Sequence, residues 1–462
     1  MKLKKENSKW YFILFPAVAM MLGWGLRGHI GGGPYGAMIP GAMVALCIGM
    51  LLELPAWTTS ILVVFSVFGI GMGGEMTYGQ TLGFLRNPET VWWGTAGTTL
   101  KGAVWGLLGG IILSMGFYFR KIPKETFVVA FLLMISAMLV GFKLINDPMI
   151  LYFSDPEKPR AESWAALLFG AIALLVYLKL KVDKSDYKVI SRFAIWGLIG
   201  GALGFGLGGF WMVLGSRLPD VVFTSWWKSM EFWFGFLFGG TLGYATWLSR
   251  KEPYLVSLKE QGFPVLKNLS VWKELAIISA TGLLIFWLIP HTIEWFTEAA
   301  IENNMEGGSI KQEIARLLDS YAMSGLIFIL VLLRYPKIGW QIGITLTFCY
   351  TAIDLFRDFY PGTNTFSPFT MHFFWVLLTT AVVAVLVSWF SRKPNSMSNL
   401  FLLLIWSCIS ISVIRMFVHM ENFNVANLSL CQIICGRFIV DIFFVVSAIG
   451  LTLFIIKKQG NQ

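Results

Sequence analysis

The sequence predicts an all-α polytopic integral membrane protein with about fourteen transmembrane helices, and three observations carry that prediction. Of 462 residues, 56% are hydrophobic and 13% charged, with a mean hydropathy of +0.68, whereas a soluble domain carries about a quarter charged residues. Apolar runs of roughly 18–25 residues recur along the chain, each long enough to cross about 30 Å of hydrocarbon. Lys and Arg gather in alternate connections, as cytoplasmic loops do.

The spans read, in order, as 10–28, 35–54, 57–74, 92–117, 125–145, 162–180, 190–213, 226–249, 272–290, 321–335, 338–357, 371–391, 397–418 and 437–457. Lys2, Lys4, Lys5 and Lys9 ahead of an apolar run from Trp10 have the charge pattern of a signal peptide. The run is long and lacks a small-x-small cleavage site, so it reads as an uncleaved first helix. With the N-terminus cytoplasmic, the Lys/Arg-rich connections 120–124, 179–192, 250–273, 334–337, 392–393 and the 457–458 tail fall on the same side. The alternate loops 29–34, 75–91, 146–161, 214–225, 291–320, 358–370 and 419–436 are mixed in sign or nearly neutral. An even number of spans then puts both termini in the cytoplasm, with the inner membrane as the expected location. The net charge of +10 reflects these anchors and gives no reason to expect nucleic acid. Segment 250–271 divides a glycine-rich half, 1–249, from 272–462, and 291–320 is expected to hold an amphipathic surface helix.

One stretch organises the first half. Gly-Trp-Gly-Leu-Arg-Gly-His at 23–29 returns as Gly-Ile-Gly-Met-Gly-Gly-Glu at 69–75 and Gly-Phe-Gly-Leu-Gly-Gly-Phe at 204–210. Each copy closes an apolar run. Trp92 and Trp93 open the fourth span as Trp226 and Trp227 open the eighth; Lys101 precedes Gly109 by the eight residues that separate Glu231 from Gly239. The copies run in the same direction, which predicts parallel repeats of outward-opening hairpins in a toroid-like bundle. The G-x-G-x-x-G spacing superficially fits a dinucleotide loop, but that motif needs a strand before it and a helix after it. Inside apolar spans it reads as close helix packing through small residues. The adjoining Gly-Gly-Gly-Pro-Tyr-Gly at 31–36 is either a flexible loop or a helix start whose free N–H groups face an anion.

The chemistry-bearing residues lie mainly at the non-cytoplasmic mouth. Glu75, Asp354 and Glu231 are the candidate catalytic carboxylates; two that straddle a bond can act as acid and base or as nucleophile. Arg27, His29, Tyr78, Gln80, Lys101, Arg357, Arg415 and His419 are candidates to hold substrate or charge. Lys101 lies about 13 Å into its span at 1.5 Å per residue, too deep for a lone charge. It reads either as one member of a buried ion pair with Glu231 or Glu75, or as the wall of a hydrated pocket. Asp354, Arg357 and Asp358 share a helix face, as do Arg415 and His419, which an interfacial salt-bridged helix end also explains. Trp24, Trp92, Trp93 and Trp227 flank the same mouth; an aromatic belt or the stacking of a sugar ring accounts for them.

Several classes lose support. His291 and Glu294 form a single His-x-x-Glu without the matching Glu-x-x-His of a di-metal bundle, so no metal is expected. No Gly-x-Ser-x-Gly or His-Glu-x-x-His is present, and no cofactor motif survives. Cys47, Cys349 and Cys408 sit in apolar runs, while Cys431 and Cys435 are spaced for a loop disulfide. The expected activity is a membrane-embedded, glycosidase-like hydrolase with an outward pocket for a carbohydrate-like or lipid-linked substrate, membrane lipid being its other partner. The alternative is a secondary transporter of a polar or anionic solute, with a midplane site at Lys101 and Glu231.

Overall fold

The computed structural model describes residues 8–155, 157–158, 160, 162–218, 225–260, 269–302, 310–359, 369–418 and 429–459. These residues form helices α1 (Lys9–Ile30), α2 (Gly33–Leu51), α3 (Ala56–Met72), α4 (Gly79–Phe84), α5 (Val91–Met115), α6 (Lys124–Gly141), α7 (Trp164–Lys181), α8 (Lys184–Gly208), α9 (Phe210–Arg217) and α10 (Trp226–Ser249). There follow α11 (Pro253–Glu260), α12 (Val271–Leu283), α13 (Ile289–Glu302), α14 (Ile310–Asp319), α15 (Tyr321–Arg334), α16 (Leu346–Phe359), α17 (Phe369–Ser391), α18 (Ser396–Val418), α19 (Leu430–Ile433) and α20 (Ile439–Gln459). No strand occurs among the described residues, as a lipid-embedded chain requires unless it closes a barrel.

The chain is a polytopic helical membrane protein: eleven helical stretches of the described residues are long and apolar enough to cross a bilayer. Large apolar side chains such as Leu180, Leu378 and Val446 point outward and lie exposed, as lipid contact demands. Segments 226–249, 321–335 and 338–357 are helical too, but do not meet that measure. In α10 the aromatic and glycine content, with Lys228 and Glu231, holds the hydropathy down, and α15 has only 14 residues. Where one amphipathic surface helix is expected at 291–320, most of α13 instead continues the candidate span Val271–Thr297, and the strongly amphipathic helix is α14.

Glycine governs how the first half packs. On α10, Gly235, Gly239 and Gly243 lie at every fourth position against the carbonyl oxygens of Met20, Pro16 and Phe12 on α1. A Cβ at those glycines would stand 2.7, 2.4 and 2.1 Å from those oxygens. Helices α5 and α8 meet in the same way, Gly106 facing Gly197 and Gly102 facing Gly201. Lipid tails are as apolar as leucine, so burial does not drive helices together in the membrane; close backbone approach gains the dispersion contacts that do. The glycine-packing reading of the sequence is therefore realised, though mostly through i, i+4 spacing rather than through the Gly-x-Gly element itself. Helix α3 lies between α2 and α5, with the Ser66 hydroxyl donating to the Gly41 carbonyl at 2.7 Å.

The two ends of this bundle differ. One end carries ion pairs among loops and helix termini: Lys121 bonds Asp183 (2.8 Å) and Asp186 (2.6 Å), and Lys259 bonds Glu53 (3.0 Å). Hydrogen bonds to Asp183 and Asp186 hold the Lys121 ammonium above the ordinary lysine range. At the other end α1 passes into α2 through Gly31 and Gly32. Gly33 opens α2 at φ +69°, a backbone that a side chain would strain.

Candidate functional site

The site is built on the segment from Arg27 to Tyr35, because elements from both halves of the chain close on it. The glycines of this segment admit neighbours directly against the backbone. A Cβ at Gly28 would fall 2.1 Å from a carboxylate oxygen of Glu231, one at Gly31 would fall 2.7 Å from a carboxylate oxygen of Asp354, and one at Gly74 would fall 2.5 Å from Pro34 Cα. Two of the three candidate carboxylates thus touch this stretch, and the third, Glu75, follows the glycine that supports it.

Arg27 is the centre. It is 1% exposed, and its Nη1 donates to the Tyr78 hydroxyl at 2.5 Å and its Nη2 to the Gly33 carbonyl at 3.3 Å. The guanidinium lies 5.6 Å from the ring centroids of Trp24, Tyr78 and Trp105, a cation–π environment. Trp105 is fixed by donation of its Nε1 to the Ile70 carbonyl at 2.7 Å, and Trp24 packs edge-on against it at 5.0 Å. Tyr78 stacks on Trp227 at 6.2 Å. Trp227 Nε1 donates to Glu231 at 3.1 Å, and Lys228 Nζ bonds the other oxygen of that carboxylate at 2.9 Å. Glu231 is itself 2% exposed. Arg27, Trp24, Tyr78, Trp227 and Glu231, from three separated stretches of sequence, therefore meet in one cluster.

Other candidates stand around this box with partners of their own. Asp354 accepts from Arg415 Nη1 at 2.5 Å, and the same guanidinium group donates to the Ile30 carbonyl. This ion pair joins α16 and α18 to the end of α1. His29 lies 3.3 Å from Asp441 and edge-on to Phe444, a tie to α20. Glu75 accepts from the Ser320 hydroxyl at 3.0 Å and from the Tyr321 backbone N–H, so it caps the start of α15, where free N–H groups and the helix dipole favour an anion. Glu75→Ala is accordingly expected to lower stability by about 0.5–2 kcal/mol, the usual loss for a cap. Glu75→Gln, which keeps an acceptor oxygen, should melt within a few degrees of wild type. Thermal unfolding in detergent distinguishes the two, and a Glu75→Gln protein that melts normally yet has lost all activity assigns Glu75 to the chemistry.

Lys101 does not reach Glu231 or Glu75. Its Nζ bonds Glu162 Oε1 at 2.8 Å, the Thr77 carbonyl at 2.6 Å and the Thr81 hydroxyl at 2.8 Å. All three ammonium protons are thereby used. Glu162 in turn accepts from the Phe153 N–H (3.2 Å) and the Ser154 hydroxyl (3.0 Å). Gln80 accepts from the Asp155 N–H at 3.2 Å and donates to the Lys158 carbonyl at 3.0 Å. These bonds bind the loop before α4 to the loop before α7 and thus hold Tyr78 in place. Trp93, 41% exposed, packs at a tilt against Phe153 with ring centroids 4.7 Å apart, and Trp92 is 74% exposed. Both belong to the rim, as belt residues do. The side chain of Arg357, and His419 altogether, lie outside the described residues.

Sequence reasoning did not single out Trp105, Glu162, Ser320 or Tyr321. Glu162 was legible as an acid at the mouth of the sixth span, two residues before Trp164. Trp105, by contrast, resembles any apolar mid-span residue. Elsewhere His291 lies 3.3 Å from Glu294 and 3.5 Å from His372, and among the described residues no group of three or more His, Cys, Asp or Glu has the geometry of a metal site. Cys431 and Cys435 are free thiols with sulfurs 3.9 Å apart. No family model, curated protein or solved structure matches the chain.

Proposed function

We propose that this protein is a membrane-embedded hydrolase of the glycosidase type, with Glu231 supplying acid–base chemistry to a carbohydrate-like or lipid-linked substrate held at the Arg27 box. The observation that carries this reading is the cluster itself: a buried carboxylate pressed against Gly28, beside a buried guanidinium, with Trp24, Tyr78 and Trp227 around them. The ring faces suit the C–H face of a sugar, and the guanidinium and indole N–H suit its polar rim. Asp354, against Gly31 on the neighbouring side of the same segment, is the second carboxylate, and Glu75 the third. In this reading the three remaining segments, 226–249, 321–335 and 338–357, also span the bilayer, making fourteen. The hairpins are tandem parallel repeats of a toroid-like bundle, both termini face the cytoplasm across the inner membrane, and the Arg27 end opens outward.

The test is hydrolysis. Purified protein in detergent is offered a panel of glycans and lipid-linked saccharides, and Glu231→Gln is expected to lower kcat by about 10²–10⁴, the usual share of a positioned acid–base group. Lys228→Gln breaks the same ion pair but keeps the carboxylate, and should stay within about tenfold of wild type. Equal loss in both variants would reduce Glu231 to a structural role. Uptake of a polar or anionic solute into liposomes, with no hydrolysis, would replace the enzyme by a secondary transporter. Because Lys101 is paired with Glu162, the transport site would then also lie at Glu231 and Arg27.

A further inference from the structure

The charges of the Arg27 box do not balance. Lys228 and Glu231 neutralise one another at 2.9 Å, whereas Arg27 has no carboxylate within ion-pair distance among the described residues; its close partners are the neutral Tyr78 hydroxyl and a carbonyl. Its Nε is buried with no hydrogen-bond partner. Arg27 and Lys228 thus stand around a single carboxylate, Glu231, and the buried box keeps one positive charge in excess, which is costly away from water, so an arrangement that keeps it calls for an anion from outside the chain. A second observation points to the same place. Arg27 reaches Gly33, where α2 begins with no side-chain cap and with proline in its first turn. Pro34 carries no N–H, so the opening donors of α2 are the Gly33 and Tyr35 N–H groups, which no side chain caps among the described residues, and the helix dipole adds to their attraction for negative charge. Space is available there: a Cβ at Gly32 or at Gly33 would meet nothing within 4 Å.

We propose that Arg27 and the N-terminus of α2 together form a binding site for a phosphoryl group. The guanidinium and the Gly33 and Tyr35 backbone N–H groups supply donors from two directions, which matches a tetrahedral oxyanion with three acceptor oxygens better than a planar carboxylate. This deepens the preceding reading by naming the anionic part of its substrate: a phosphorylated sugar or a lipid phosphate. Glu231 at Gly28 and the phosphoryl group at Gly32–Gly33 would then act on one substrate, with Arg27 and its aromatic rings beside both.

Binding can be read without turnover. Wild-type protein in nanodiscs of zwitterionic lipid is melted with rising inorganic phosphate, against chloride at equal ionic strength, and melted again in nanodiscs that contain phosphatidic acid. The expected result is a saturable rise in Tm. A rise with inorganic phosphate identifies a soluble phosphate ligand, and a rise with phosphatidic acid alone identifies a lipid headgroup. Arg27→Lys keeps the charge but loses the fork, and should weaken binding at least tenfold. No stabilisation of the wild type in either arm overturns the proposal, as does equal binding by Arg27→Lys. Should Arg27→Lys not fold, the two wild-type arms decide alone. Absence of glycan hydrolysis leaves the phosphoryl site standing, and hydrolysis of uncharged glycans without phosphate binding removes the site while sparing the enzyme.

Discussion

Lys101→Met is expected to destabilise the protein by about 3–5 kcal/mol, the usual consequence of removing one member of a buried ion pair. The pair is fully enclosed, with side-chain exposures of 0% for Lys101 and 1% for Glu162. Removing the ammonium leaves the Glu162 carboxylate without a counter-charge and takes one donor from the Thr77 carbonyl and from the Thr81 hydroxyl, which still donates to the Phe153 carbonyl at 2.9 Å. Glu162→Gln should be costly for the converse reason. The double variant Lys101→Met, Glu162→Leu removes both charges, and is expected to recover a large part of the loss, because an apolar pair of similar volume needs no desolvation. Denaturant or thermal unfolding in detergent, followed by circular dichroism, gives all three values. A Lys101→Met protein within about 1 kcal/mol of wild type would mean that water reaches the site and the pair is dispensable. Because the network also holds the Tyr78 loop, the single variants should weaken the Arg27 box as well as the fold.

Gly106→Ala should be nearly as damaging, although alanine is ordinarily the better helix former. Its new methyl carbon would stand 1.8 Å from the Gly197 carbonyl oxygen, and the reciprocal Gly197→Ala would stand 2.2 Å from that of Gly106. Both obstacles are backbone, which no rotamer change can move aside, so α5 and α8 must separate. Overpacking of this kind costs about 1–3 kcal/mol or more, and here every contact along the crossing is loosened together. Gly450→Ala on α20 is the control: nothing lies within 4 Å of its Cβ position, and it should melt as wild type. Gly106→Ala melting with Gly450→Ala would show that these two helices are not in register as described.

Class and packing were the parts most legible in the sequence, because hydropathy and glycine spacing are local signals. The convergence of Arg27, Trp24, Tyr78, Trp227 and Glu231 was legible too, since each sits at the same end of its apolar run and the runs must lie side by side. The partner of Lys101 was not. Depth in a span shows that a lysine needs a counter-charge, but the choice among Glu75, Glu231 and Glu162 depends on which loop folds over α5. The glutamate that meets it lies 61 residues away. Glu75 shows the same limit from the other side. Its position at a span end is visible, but the fact that it caps a helix 245 residues later follows only from packing α15 beside α3.

The pairing of α1 with α10 has a consequence for synthesis. Helix α1 carries Arg27, yet the glycine-lined surface that covers it, and the Glu231 carboxylate beside that arginine, are synthesised about 200 residues later. At about 5–20 residues per second, that interval is on the order of ten to forty seconds. During it Arg27, in the last turn of α1, lacks the partners that bury it and must reach for the interface, because an arginine held at the centre of a span costs about 2.5–3.5 kcal/mol. The buried position of Arg27 is therefore reached only after Trp226–Ser249 emerges and packs against α1.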